Sequence, residues 1–521
     1  MGPGDERMNA RREKAWLALL IVAFGLLCLS HLPVSYMFDG TVFAHYLRFA
    51  LVRGDLGAVL QPQHLLYHPL AYGSYRLLNL AAGYRVLEYF HLQLLSLAFA
   101  LASLVTAWFI LRRIVLDPPL RLVAVALLAG SYSFWLQAVE AEVHMPALFF
   151  SLAGLAALGF SSRRVRGVLL AGFCFALAAG FHLTAILLFA TGLAWLIWQR
   201  RSAFHIFLFL SIFTAALAVP YLLAATAMGL DLKRWAWSTL FHNVSFTDYA
   251  VSDWSPFRWS TLRLSLDAVA GSLLFPHGLL LRWGSRLLLL GGAAAVFWSQ
   301  TRTRRRGETS LLVLWLSSFF VFFTFWHPGN PEFKLPVSVP LIILAVLFLS
   351  TRKNLSWPRI AAGALAALVL ILNFVFGLSP LARSENNRDY ILAEAIRQKT
   401  PADAEVVIVG SLRGFGMGKI YLPYFALRPA LVLDWLVREH SYEPVKERIG
   451  RELAAGKKIF LFSDAASLTP AVRELLKNHA LSPERHEEFL AALRRGRRID
   501  LPAGEFLFEI VGTEKAIPAL R

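Results

Sequence analysis

Polar side chains at the ends of long apolar runs are the residues in this chain best suited to chemistry. Asp39 follows the first apolar run. The other candidates lie after it or between later runs: His64, Tyr67, His68, Glu140, Glu142, His144, His182, Glu332 and Lys334. A charge next to hydrocarbon costs about 3 kcal/mol unless it has a partner or water. We therefore predict that these residues form the functional site, with Asp39 as its reactive group.

Each candidate also has a purely structural interpretation. Asp39 could be an ordinary charge in a loop, and Glu140 and Glu142 could be solvated loop carboxylates. His182 could form a hydrogen bond inside a helix bundle, and Lys334 could extend its ammonium group to the membrane surface. These alternatives stay open at the level of sequence.

Composition indicates an integral membrane protein. Of the 521 residues, 57% are hydrophobic and only 17% are charged, and the mean hydropathy is +0.54. The formal charge of +18 could suggest nucleic acid. The bases lie mostly in short segments between apolar runs, however, which is typical of membrane topology, so we predict no nucleic-acid partner.

The fold predicted from this pattern is mainly α, a polytopic helical membrane domain of about 11 spans followed by a small soluble α/β domain. The spans are predicted near 15–35, 90–111, 119–137, 145–161, 166–180, 182–198, 204–226, 285–300, 309–326, 335–350 and 359–378. Residues 1–379 would form the membrane domain, with long outer loops at 36–88 and 227–284.

Arginine and lysine are concentrated in alternate connections, such as Arg11 to Lys14, Arg163 to Arg166 and Arg302 to Arg306. The positive-inside rule places these connections and the N-terminus in the cytoplasm. Asp39 and the other site candidates then share the outer face. The protein is predicted to lie in the inner membrane of a bacterium.

After Pro380 charges become frequent and the apolar runs shorten to strand length. Four strands are predicted, at Glu405 to Gly410, Ala430 to Asp434, Lys457 to Phe462 and Phe506 to Val511. Helices are predicted at Tyr442 to Gly456 and Pro470 to Leu476. This alternation predicts an α/β domain over 380–521, outside the cytoplasm.

The arrangement resembles the GT-C superfamily of membrane glycosyltransferases, especially the protein O-mannosyltransferase-like and aminoarabinose-transferase-like branches. Asp39 stands at the start of a long first outer loop, and the stretch Gln63 to Leu70 is similar to a His/Pro/Tyr stretch later in that loop. Trp135 to Phe149 and Phe181 to Thr184 also resemble family segments. Many members have two adjacent acids where this chain has Asp39 and Gly40.

The resemblance implies an enzyme that moves a sugar from a polyprenyl-phosphate-linked donor to a protein, lipid or glycan acceptor on the outer face, with inversion. Asp39 would be the base that takes the proton of the acceptor hydroxyl. Hydrogen-bond donors such as Lys334, His182, Arg76 or Arg263 would stabilise the departing phosphate. No cofactor is required, although Mg²⁺ or Mn²⁺ could bind Asp39 with Glu140, Glu142 or His144.

Two functions of other classes remain open from the sequence. A transporter or flippase of lipid-linked sugars would need polar residues at mid-membrane depth, and the predicted spans carry few charges near their centres. A non-catalytic protein of envelope glycan assembly would use the C-terminal domain to bind a partner or a glycan.

Overall fold

The computed structural model describes residues 3–54, 56–61, 64–161, 164–229, 231, 255–256, 258–275, 291, 306–351, 356–409, 417–433, 437, 441–478 and 482–513. Helices dominate up to residue 378. In chain order they are α1 (Pro3–Ser30), α2 (Phe38–Arg53), α3 (Tyr67–Ala82), α4 (Glu88–Ile114), α5 (Pro118–Gly130), α6 (Tyr132–Val139), α7 (His144–Ser161), α8 (Val165–Phe181), α9 (Ile186–Trp198), α10 (Ala203–Ala227), α11 (Trp259–Leu273), α12 (Arg306–Phe325), α13 (Leu335–Ser350) and α14 (Ser356–Leu372).

Helices occupy each predicted span that falls within the described residues, and the predicted polytopic membrane fold is confirmed. Apart from residue 291, the span predicted near 285–300 lies outside the described residues. Within them, seven helices are long and apolar enough to cross a membrane, or eight if α5 and α6 form one span bent by 61°. Helix α8 and the stretch Leu183–Trp198 are apolar but shorter.

The two long segments predicted as outer loops contain helices of their own. Helices α2 and α3 lie within residues 36–88, and Arg48 ties α2 to α4 through an ion pair with Glu88 at 2.9 Å. Helix α11 lies within 227–284, where Ser265 accepts a 3.1 Å hydrogen bond from Thr324 of α12. The mixed polar and apolar sequences of α2 and α3 hid these two helices from a search for long apolar runs.

Small residues and buried polar groups hold the bundle together. A Cβ atom at Gly154 of α7 would meet the Phe175 ring of α8 at 2.5 Å, so this close helix contact requires glycine. Asn373, just after α14, donates to the carbonyls of Gly130 and Leu273, both at 2.7 Å. Such groups join helices where apolar surface alone gives no preference over lipid.

The C-terminal part is a sheet covered by helices, as predicted. Its strands are β1 (Glu405–Ile408), β2 (Ala430–Val432), β3 (Ile459–Phe462), β4 (Leu493–Asp500) and β5 (Phe506–Thr513), in the order β2-β1-β3-β5-β4. Strands β1, β2 and β3 are parallel, and β5 pairs antiparallel with β3 and β4. The helices are α15 (Arg388–Lys399), α16 (Glu443–Ala454), α17 (Ser463–Ala466), α18 (Pro470–Asn478) and α19 (Pro483–Ala491).

Strand β4 was not predicted from the sequence. It carries Arg494, Arg495, Arg497 and Arg498, and most of its side chains are exposed. Charged residues on an edge strand obscure the apolar alternation but protect the edge from pairing with other chains.

The chain folds into two compact units. The bundle unit comprises residues 1–33 and 46–380, and the C-terminal unit comprises 34–45 and 381–521. The short segment 34–45, which includes Asp39, therefore belongs to the unit that is mostly the C-terminal domain.

Candidate active site

Asp39 lies in the first turn of α2, within the C-terminal unit. Its side chain is exposed. Partial desolvation by surrounding protein nevertheless raises the pKa of its carboxyl above the ordinary value. Thr41, two residues later, donates its hydroxyl to the carbonyl of Met37 at 2.9 Å and helps to define the start of this helix.

The backbone just before Asp39 is held by side chains from after residue 380. Asn387 donates to the carbonyl of Val34 at 2.6 Å. The hydroxyl of Tyr421 lies 2.8 Å from the carbonyls of both Ser35 and Tyr36. Tyr36 has a positive φ of 45°, a conformation that a non-glycine residue holds only when its surroundings enforce it.

Three predicted histidines come together in the bundle unit. The ring centroids of His144 and His182 are 4.5 Å apart, and those of His64 and His182 are 5.6 Å apart. His64 Nδ1 lies 3.2 Å from the carbonyl of Phe181. His182 Nδ1 lies 2.6 Å from the hydroxyl of Thr184, in a short turn between α8 and α9.

A glycine allows the segment with His64 to approach α8 this closely. The amide of Leu66 donates to the carbonyl of Gly180 at 3.0 Å. A Cβ atom at Gly180 would meet Leu66 Cδ1 at 2.6 Å, so a larger residue would push the segment away. Burial lowers the pKa of His64 to about 4 and that of His68 to about 3, and both rings are therefore neutral near pH 7.

Glu142 is bound to Ser96 of α4 and lies close enough to Tyr67 for its charge to act on the phenol. The hydroxyl of Ser96 donates to the backbone carbonyl of Glu142 at 3.1 Å and accepts from the backbone amide of Glu142 at 3.3 Å. Burial, and then the charge of Glu142, raise the pKa of Tyr67, which therefore stays protonated. Glu140, two residues before Glu142, is fully buried and accepts a hydrogen bond from the hydroxyl of Tyr89.

Lys334 is fully buried at the start of α13. Its ammonium group donates to the carbonyl of Phe323 at 2.6 Å and to that of His327 at 3.3 Å. It also lies 5.3 Å from the centre of the Phe323 ring. Lys334 thus binds the C-terminal end of α12, where the helix dipole favours a cation. Glu332 is half-buried, and its backbone amide donates to Asn330 Oδ1 at 2.9 Å.

A small cavity of about 30 Å³ adjoins the histidines. It is lined by His144, His182, Thr184 and Trp315, among others. The indole Nε1 of Trp315 is buried and has no hydrogen-bond partner within the described part of the chain. The cavity is large enough for a water molecule, which would satisfy this donor.

No metal site is formed by the residues that the structure describes. Three or more His, Cys, Asp or Glu side chains do not gather anywhere among them in a geometry that could hold an ion. In particular, the carboxylate of Glu140 is directed to a tyrosine hydroxyl. The Mg²⁺ or Mn²⁺ site suggested by the sequence stays a prediction.

Several residues that position the candidates were not singled out in the sequence. Tyr89 and Ser96 contact Glu140 and Glu142, and Asn387 and Tyr421 hold the backbone before Asp39. Each of these residues lies far along the chain from the residue that it contacts, so no local sequence pattern marks that contact. Only the Asn386-Asn387 pair gives a local signal, because Asn387 caps α15 by accepting from Tyr390 at 3.0 Å.

The sequence matches no protein-family model and no curated protein. Among solved structures, ArnT from Cupriavidus metallidurans bound to undecaprenyl phosphate aligns with a TM-score of 0.63 at 14% identity, over 95% of this chain and 98% of ArnT. The apo state of ArnT gives a TM-score of 0.64 at 13% identity, with the same coverage. The arabinofuranosyltransferase AftD from Mycobacteria aligns at 16% identity with a TM-score of 0.48, over 96% of this chain and 40% of AftD.

Both ArnT alignments extend over nearly the full length of each protein. At such low identity they show a shared fold and no more.

Proposed function

We propose that this integral membrane protein, which has the fold of the GT-C superfamily of membrane glycosyltransferases, transfers a sugar from a polyprenyl-phosphate-linked donor to an acceptor hydroxyl. The observation that carries the proposal is the likeness to ArnT over 95% of the chain, including the structure with undecaprenyl phosphate bound. A fold hosts many functions, so the residues must support the chemistry as well.

Asp39 is the general base in this proposal. It is an exposed carboxylate on a segment fixed by several hydrogen bonds, whereas the bundle carboxylate Glu140 is buried against a tyrosine. Desolvation by the surrounding protein raises the pKa of this carboxyl above that of free aspartate, which makes the carboxylate a stronger base. The acceptor hydroxyl would give its proton to Asp39 as its oxygen forms the new bond to the sugar C1.

The bond from C1 to the donor phosphate breaks in the same step, which inverts the configuration at C1. Polyprenyl phosphate leaves as a weak base and needs stabilisation of negative charge rather than a proton. Lys334 already donates to two protein carbonyls. Arg76, exposed on α3 beside the ring of Tyr72, is therefore a better candidate for contact with the phosphate. The step requires no metal ion.

The proposal places the reaction on the outer face of a bacterial inner membrane. The arginine-rich connections would be cytoplasmic, and the start of α2 and the C-terminal unit would lie outside. A reporter fused after Arg383 should be active only outside the cytoplasm.

The central experiment measures sugar transfer from radiolabelled polyprenyl-phosphate sugars by purified full-length protein over a panel of acceptors. We expect Asp39→Asn to lower the rate by about 10²–10⁴-fold, the usual contribution of a general base. Asp500→Asn, at another exposed aspartate of the same unit, is the matched control and should retain the wild-type rate.

Full transfer by Asp39→Asn would refute Asp39 as base. If the wild-type protein instead leaves the donor intact with every acceptor and moves it between the leaflets of a vesicle, that result refutes the enzyme hypothesis and identifies the protein as a flippase.

A further inference from the structure

An apolar groove of about 400 Å³ crosses the surface of the bundle unit between α1, α5 and α14. Its walls include Trp16 and Leu19 of α1, Leu122 and Ala126 of α5, and Gly363 and Ala367 of α14. Small residues on α5 and α14 create the concave shape. The volume lies in the range of about 300–1,000 Å³ that is usual for ligand pockets.

Two ion pairs fasten the three helices at one end of the groove. Arg121 of α5 donates to Glu13 of α1 at 2.9 Å, and Glu13 also accepts from Trp108. Arg359 of α14 pairs with Asp117, the N-cap of α5. Both pairs lie beside the groove and hold the three helices together there.

The same end of the groove is strongly basic. Arg12 precedes Trp16 by one turn on the same face of α1, and Arg11 and Lys14 are exposed beside it. The two nearby acids, Glu13 and Asp117, are already paired with Arg121 and Arg359. The first turns of α5 and α14 also lie at this end and add the positive ends of their helix dipoles.

Exposed tryptophans mark this end as a membrane–water boundary. Trp16 is 61% exposed and Trp357, in the first turn of α14, is 73% exposed. Indole side chains favour the level of the lipid headgroups. The groove therefore begins at headgroup depth and continues along the helices toward the hydrocarbon.

We propose that this groove binds an anionic phospholipid, with an acyl chain along the apolar walls and the headgroup phosphate at Arg12 and the helix N-termini. A zwitterionic lipid would fill the walls but gain less from the positive charge. A second copy of this chain packed in parallel would bring the same positive charges together. Their repulsion disfavours a second copy as the occupant of the groove. Basic sites between helices on the cytoplasmic side of membranes suit anionic headgroups.

Native mass spectrometry of the purified full-length protein tests the proposal with phosphatidylglycerol and phosphatidylcholine of identical acyl chains. We expect the wild type to retain phosphatidylglycerol more strongly. Ala367→Leu fills the groove and should lower the retention of phosphatidylglycerol. Ala364→Leu makes the same change at an exposed position on α14 that does not line the groove, and it should leave retention unchanged.

A charge variant at an exposed side chain provides a second, independent measurement. Arg12→Gln should weaken phosphatidylglycerol binding by about five-fold, the contribution of one basic group near an anionic surface. Phosphatidylcholine binding should not change. Arg113→Gln, at an exposed base in the last turn of α4, is the control and should bind both lipids as the wild type does.

Equal retention of the two lipids, or equal effects of Ala367→Leu and Ala364→Leu, would overturn the proposal. Retention of undecaprenyl phosphate but not phosphatidylglycerol, lost in Ala367→Leu, would assign the groove to a polyprenyl lipid instead. A concentration-dependent dimer abolished by Ala367→Leu would assign it to a second copy. These readouts do not depend on sugar transfer.

Discussion

The candidate residues in the bundle unit differ from Asp39 in what surrounds them. Lys334 and Glu140 are fully buried, and each is bound to a specific protein group. Asp39 is exposed, and its position is fixed through the backbone that precedes it. Buried groups with protein partners stabilise a structure, whereas an exposed group on a well-held segment is available to a substrate.

This difference separates two roles that the sequence could not distinguish. Polar residues at the ends of apolar helices include those that join the helices and those that could react. The bundle candidates that the structure brings together, His64, His144, His182, Tyr67 and Glu142, form one connected group around α4, α7 and α8. Substitutions of the buried bundle residues should therefore lower stability, whereas substitutions around Asp39 should lower activity.

The largest effect on stability is expected from Lys334→Met. The substitution keeps the length of the side chain but leaves the carbonyls of Phe323 and His327 without their donor. We expect the free energy of unfolding to fall by about 3 kcal/mol, measured as thermal stability in detergent. Lys14→Met, at an exposed lysine of α1, should have little effect. A variant of full stability with weaker donor binding would instead make Lys334 a substrate ligand.

Tyr421→Phe should reduce activity rather than stability. Loss of the hydroxyl removes the donor that Tyr421 shares between the carbonyls of Ser35 and Tyr36, three to four residues before Asp39. We expect kcat to fall about ten-fold, the rate equivalent of about 1.4 kcal/mol. Tyr390→Phe keeps the ring that packs on Tyr36 and is the control.

A positioning role for Tyr421 has a specific signature in a double variant. In the Asp39→Asn background, Tyr421→Phe should cause no further loss of kcat, because no base is left to position. An additional ten-fold loss would mean that Tyr421 acts independently of Asp39.

The neutral histidines should make the bundle sensitive to acid. His64 has a pKa of about 4 in the folded protein, below the ordinary value of 6.5, so the unfolded state takes up its proton first as the pH falls. The stabilisation is complete above about pH 6.5 and is lost down to about pH 4, by at most about 1.4 kcal/mol per pH unit. Thermal unfolding of the wild type and His64→Gln between pH 7 and pH 5 measures the difference. If the stability of the wild type and of His64→Gln changes equally between pH 7 and pH 5, this prediction is wrong.

The smallest expected effect is on the acidic side of the pH–rate profile. Because the pKa of Asp39 is raised, its basic form is lost at a higher pH than that of a free aspartate. We expect transfer to fall as the pH drops through this pKa, and Asp39→Glu to displace the fall along the pH axis. If the rate falls at the same pH in Asp39→Glu and in the wild type, the fall is caused by another titrating group.

The sequence by itself determined the class of the fold. Long apolar runs, bases in alternate connections and the change of composition after Pro380 were sufficient, because the length of a span and the period of a strand are local properties. Helix α2, helix α3 and strand β4 were missed, since their polar residues break the local pattern and their stability comes from contacts such as Arg48 with Glu88.

The tertiary structure alone decided the surroundings of each candidate residue. Asp39 and Lys334 are both charged residues at the ends of apolar runs, yet one is exposed and the other is enclosed by α12 and α13. Partners such as Tyr421 lie more than 380 residues from Ser35 and Tyr36. Burial and pairing at such separations depend on how the whole chain packs, and no local pattern of residues encodes them.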